Sequence, residues 1–133
     1  MTRQSVMRST VAGIGLMLAL VVSAQEPIDN CASLLGSLSV ELRYARNLSP
    51  STRTTFVCPR DTKALLGASK QRIVKSLGPP DLTAAAEREG SSAAWSYFFG
   101  PKPDADYPPG VPELRFEFDG QQMVNNVSCQ RTR

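Results

Sequence analysis

Residues 113–118, Glu-Leu-Arg-Phe-Glu-Phe, alternate without a break, setting Leu114, Phe116 and Phe118 against Glu113, Arg115 and Glu117. Successive side chains of a strand point to opposite faces, so this run requires a sheet with one face buried and the other wet. Residues 93–99 repeat the demand, with Trp95, Tyr97 and Phe99 on one side. Hiding each of these six large side chains is worth about 1.5–3 kcal/mol, so whatever covers them decides the fold. Asp119-Gly120 offers a tight hairpin turn, after which 121–129 reads as a third strand with Val127 and Cys129 on one face and Asn126 and Ser128 on the other. Between the first two strands lies 100–112, whose five prolines cannot form a central strand and imply a long loop. Thr83 to Ser92 reads as an irregular connection.

The cover has to come from the residues before the sheet. Leu34, Leu35, Leu38, Leu42 and Ala45 recur at helical spacing between Asp29 and Asn47, with Asp29 or Asn30 placed to cap the first turn. Thr62 to Leu66 reads as a short helical turn. Ser69 then caps a helix whose apolar edge is Ile73, Val74 and Leu77. That helix stops abruptly in "LGPPD": Gly78 is expected to supply the left-handed residue that closes a helix, and Pro79 and Pro80 forbid its continuation. The expected fold is a two-layer α+β sandwich, helices packed on one face of a three-stranded antiparallel sheet.

At the other end of the chain, Arg3 and Arg8 precede an apolar run, Val11 to Val22, and small residues at Val22-Ser23-Ala24, the form of a secretory signal peptide cut after Ala24. Twelve apolar residues are too few for a helix that spans a bilayer, which needs about 20. Ile28-Asp29-Asn30 before Cys31 does not suit lipidation, so the expected product is periplasmic and free of an acyl anchor. Its segments are 1–24 (signal peptide), 25–60 (N-terminal helix and connection) and 61–133 (the α+β domain).

Loss of Arg3 and Arg8 takes the basic count from 15 to 13 against 12 acidic residues, a charge near +1 that excludes nucleic acid as a partner. In an oxidising compartment two of Cys31, Cys58 and Cys129 are expected to pair. Cys58–Cys129, between neighbouring extended segments, is the favoured pair, with Cys31–Cys58 second.

The chain has no histidine, which removes Ser-His-Asp and Cys-His catalysis together with the commonest zinc ligands. No catalytic residue, metal site or cofactor is expected. The carboxylate pairs Glu87/Glu89 and Asp104/Asp106 read as solvated loop charge, and Lys63, Lys70, Arg72 and Lys75 as a solvated helix face that could make weak contact with anionic lipid. Asn47-Leu48-Ser49 and Asn126-Val127-Ser128 match glycosylation acceptors by chance. For partner binding the residues singled out are Tyr107, Pro108 and Pro109, because prolines reduce the entropy lost when a loop docks and an exposed tyrosine is a good anchor.

Several of these segments together resemble a known family. The run 66–74, Leu77-Gly78-Pro79-Pro80, Trp95-Ser96-Tyr97, 114–120 and Val124, in that order, resemble the SmpA/OmlA family of small bacterial envelope proteins, the BamE-like domain. The likeness spans Thr62 to about Cys129. It implies an αα-βββ fold with an additional N-terminal helix here, and a non-enzymatic role in binding or scaffolding envelope proteins. It also implies outer-membrane assembly components as partners and contact with phosphatidylglycerol. The extra helix, the three cysteines and the missing lipidation signal are this chain's own departures. The same architecture occurs in secreted inhibitors of β-lactamases, so the alternative is an inhibitor presenting Glu113, Arg115, Glu117 and the proline-rich loop.

Overall fold

A computed structural model describes residues 29–86, 92–103 and 105–133; the expected signal peptide, Glu87, Glu89 and Asp104 lie outside them. The elements are α1 (Asn30–Arg46), a single 3-10 turn (Lys63–Leu65), α2 (Lys70–Leu77), β1 (Leu82–Ala84), β2 (Ala93–Phe98), β3 (Pro112–Phe118) and β4 (Val124–Arg131). The strands form one antiparallel sheet in the order β1-β2-β3-β4.

Both helices begin as their caps dictate. The Asp29 carboxylate accepts from the Ala32 amide at 3.1 Å, and the Ser69 hydroxyl accepts from the Arg72 amide at 3.2 Å. α1 buries Leu35, Leu38, Leu42 and Ala45, one side of the cylinder, while Val40 and Tyr44 face water. α2 buries Ile73 and Leu77 only; Val74, expected on the same edge, is 38% exposed, since an eight-residue helix turns it past the seam. These residues share one core with Tyr97, Phe99, Leu114, Phe116 and Phe118 from the sheet. Within that core Phe56 stacks on Phe99 at 3.8 Å between centroids, and Tyr97 meets Phe116 edge-on at 5.9 Å. Trp95 is only half-buried, edge-on to Phe118 at 4.9 Å, and Lys70 Nζ lies over both rings, 5.4 and 5.0 Å from their centroids. Lys70 therefore closes the rim of the aromatic layer by cation–π contact.

The sheet has four strands where the alternation predicts three. The additional strand β1 pairs Leu82, Thr83 and Ala84 with Ser96, Trp95 and Ala94. All three of its residues are exposed, so it is held by main-chain hydrogen bonds and leaves no trace in the hydropathy pattern. The hairpin after β3 is also longer than a two-residue turn. Positive φ falls on Gln122 (66°), and the Asp119 carboxylate accepts from the amides of Gln121 (2.9 Å) and Met123 (3.1 Å). A short polar side chain thus shapes the turn in place of Gly120. β4 accordingly starts at Val124, with a shift of register beside Glu117 and Phe118.

Cys58 and Cys129 form a disulfide with Cα atoms 5.6 Å apart, tying the extended segment that carries Phe56 to β4. Cys31 is free and half-buried, and burial pushes its thiol above the ordinary range, away from the reactive thiolate.

The helix stop at Gly78 serves the sheet. Gly78 has φ +77° and ψ −170°, a conformation open almost only to glycine, and its carbonyl accepts a hydrogen bond from the Tyr97 hydroxyl at 2.8 Å. Gly78→Ala is expected to lower stability by about 2 kcal/mol through backbone strain, although a Cβ there would meet no neighbour. Urea denaturation checks this, and an unchanged midpoint would contradict the strain.

Candidate functional site: a proline-walled groove at one end of the sheet

Pro79 and Pro80 steer the chain off α2 so that Asp81 arrives alongside β2. Its amide donates to the Ser96 carbonyl at 2.9 Å, and its Oδ2 accepts from the Phe98 amide at 2.8 Å. Arg46 Nη2, from the last turn of α1, lies 3.2 Å from both carboxylate oxygens. The Asp81 side chain is 9% exposed and that of Arg46 30%, so this partly buried ion pair joins α1, the helix exit and β2 at one point.

The proline-rich loop is fixed beside this junction. Tyr107 stacks on Phe98, centroids 4.3 Å apart and planes 16° from parallel. The Thr132 hydroxyl donates to the Pro108 carbonyl at 3.1 Å and accepts from the Val111 amide at 3.2 Å. Arg131 Nη1 donates to the Gly110 carbonyl at 2.8 Å, and Gly110 itself turns with φ +89°. The described part of this loop is thus held at Tyr107 by an aromatic stack and at residues 108–111 by Arg131 and Thr132, contacts that reduce the entropy lost when it docks.

Two adjoining depressions result. A cleft of about 560 Å³ is lined by Arg46, Pro79, Asp81, Phe98 and Tyr107. A groove of about 960 Å³ runs between residues 50–54 and the proline-rich loop, reaching Arg131. Lys102 and Pro103 line both.

Of the residues expected to bind a partner, Pro108 and Pro109 are exposed and line the groove. Tyr107, expected as an exposed anchor, is half-buried, because its ring gains more contact on Phe98 than it would in water. Its hydroxyl is buried without a hydrogen bond of normal geometry, near enough to Asp81 to feel that charge. Burial, reinforced by the Asp81 carboxylate, pushes the Tyr107 pKa up to about 12. Burial likewise raises Tyr97 well above the usual tyrosine range.

Because the folded pKa of Tyr107 exceeds its unfolded value near 10, its contribution is intact below about pH 10 and is lost as pH rises through about 12. A tyrosinate absorbance titration should show this late step, and Tyr107→Phe should abolish it. Loss of a step near pH 10 in that variant, with the step near 12 retained, would instead place the Tyr107 hydroxyl in water.

The other charged candidates are dispersed. Lys63 and Lys75 are exposed, Lys70 is engaged with the aromatic rings, and Arg72 is paired with Asp29. The hydrogen bonds from the Ala32 amide and from Arg72 hold the Asp29 carboxyl below its ordinary range. On the outer face of the sheet Glu113, Arg115 and Glu117 are half-buried; Arg115 Nε sits 3.9 Å from Glu117, which also accepts from Asn126 Nδ2 at 2.9 Å. Asp106 is exposed at the cleft. Among the described residues no group of three His, Cys, Asp or Glu could hold a metal ion, and no helix is long and apolar enough to cross a membrane.

The residues that sequence reasoning missed are Arg46, Asp81, Arg131 and Thr132. Only Asp81 carries a local signal, as the polar residue immediately after a Gly-Pro-Pro exit. No protein-family model matches the chain, and no curated protein and no solved structure matches it either. Fold and groove together describe a small α+β sandwich with a preformed recess on its surface.

Proposed function

We propose that this chain is an exported, non-enzymatic module that binds or scaffolds other envelope proteins from the periplasmic side, in the manner of BamE-like factors. The observation that supports this most is how the second half of the proline-rich loop is held. With Tyr107 stacked on Phe98 and residues 108–111 tied to Thr132 and Arg131, it presents Pro108 and Pro109 next to a groove at little further entropic cost. The likeness of 66–74, 77–80, 95–97, 114–120 and Val124 to the SmpA/OmlA family points the same way. A disulfide accords with an oxidising compartment.

The test is affinity purification of the tagged full-length protein from cross-linked host cells. Envelope or outer-membrane assembly proteins should be recovered with wild type. They should be depleted with Tyr107→Ala, which frees the loop. Recovery of none of them, or inhibition of a β-lactamase or lysozyme at stoichiometric amounts, would contradict the proposal.

A further inference from the structure

The groove carries a charge pattern that its proline walls do not explain. Arg53, Lys102 and Arg131, from three separate stretches of chain, converge on it, and all three are exposed. Among the described residues no carboxylate lines the groove, and none of these three cations has a carboxylate within 4 Å. Asp81 and Asp106 belong to the neighbouring cleft, and Asp81 is already paired with Arg46. Among the described residues these like charges line one groove without a paired carboxylate, an arrangement that an anionic ligand relieves.

The shape indicates which anion. Pro50, Pro101, Pro103, Pro108 and Pro109 form apolar walls, while Ser51, Thr52 and Thr54 line one side, Thr52 bonded to the Ser49 hydroxyl and Thr54 accepting from the Phe56 amide, each with hydroxyl capacity to spare. A compact anion such as phosphate would engage the cations but leave these walls and most of about 960 Å³ unused. A flat bilayer surface would meet these exposed cations but, like phosphate, would leave the proline walls and most of the groove unused. An extended polypeptide fits each part. Its carboxylates meet the three cations, its main chain meets the hydroxyls, and its intervening side chains lie on proline rings.

We infer that the groove binds an extended acidic segment of a partner protein, with Arg53, Lys102 and Arg131 reading its carboxylates. This rests on the protein-binding role proposed above and specifies the partner's chemistry.

Fluorescence anisotropy of the full oxidised protein with a labelled Glu-Ala-Pro repeat peptide tests it. The peptide should bind, more weakly as salt rises, and its Lys-Ala-Pro counterpart should not. Arg53→Glu/Lys102→Glu/Arg131→Glu should weaken binding at least about tenfold. Because Arg131 also holds Gly110, the pair Arg53→Glu/Lys102→Glu, which leaves that contact alone, should show a smaller loss in the same direction. Lys63→Glu/Lys75→Glu should change nothing. Equal affinity for the lysine peptide, no response to the reversals, or equally tight competition by dextran sulfate or phosphatidylglycerol vesicles would overturn the inference. Cross-linking in cells separates it from the wider reading. Partners recovered equally by wild-type and reversed chains would remove the acidic-segment inference alone, whereas no partner with either chain would remove both.

Discussion

Replacing Cys58 and Cys129 together by serine should lower the unfolding free energy by about 4 kcal/mol, the chain-entropy value for a bridge across 71 residues. The bridge acts mainly by restricting the unfolded chain, but its position gives the loss a local character too. It fastens the segment that stacks Phe56 on Phe99 and that leads back to residues 50–54, one wall of the groove. The double variant should therefore lose groove binding at denaturant concentrations where far-UV circular dichroism still reports a folded protein. Urea titrations of wild type with and without reductant, beside the double variant, measure the effect. Cys31→Ser should leave the oxidised stability within about 1 kcal/mol, since Cys31 is free and only half-buried. A double variant as stable as wild type would mean that these two cysteines are not joined.

Asp81→Ala should cost about 3 kcal/mol, because it removes the charged acceptor of both Arg46 and the Phe98 amide. A fully buried pair broken on one side costs about 3–5 kcal/mol, and the 30% exposure of Arg46 places this case at the lower bound. The Phe98 amide is then left without its acceptor beneath Tyr107, so the loop and the helix exit loosen together. Asp81→Asn keeps an acceptor for that amide while losing the ion pair and should cost about half as much. Amide hydrogen exchange locates the damage. Phe98 should lose protection in Asp81→Ala while Phe116, in the middle of β3, keeps it. Equal protection of Phe98 in both proteins would show that Asp81 does not hold this junction.

The parts of the molecule driven by burial are legible in the amino-acid sequence. Strict alternation marks β3, an aromatic version of it marks most of β2, and the apolar stripe at 34–45 marks α1. Asp29, Ser69 and Gly78 act as caps because each answers a purely local backbone need. For the disulfide the extended segments around Cys58 and Cys129 favour that pair but leave Cys31–Cys58 open, and it is the structure that joins Cys58 to Cys129. What escapes is held by other forces. β1 is an exposed edge strand bound through its main chain, and the hairpin is shaped by the Asp119 carboxylate and by Gln122 at positive φ. The groove escapes for a third reason. Arg53, Lys102 and Arg131 are far apart in the chain, one in the connection after α1, one in the loop after β2 and one at the end of β4, and only the tertiary fold brings them to one groove. Tyr107 shows the boundary clearly: the prolines around it mark its loop, but its partner ring Phe98 sits on the face opposite Tyr97 and Phe99, a placement that no local pattern announces.

If this end of the sheet, and not the helical face, meets a partner protein, contact in the cell must be confined to the groove. Site-specific photo-cross-linking in host cells decides the matter, with the reactive residue placed at Pro109 in the groove or at Lys75 on α2. Discrete adducts with an envelope protein are expected from position 109 and none from position 75. Adducts from position 75 alone, the same adducts from both positions, or none from either would contradict a partner site in the groove.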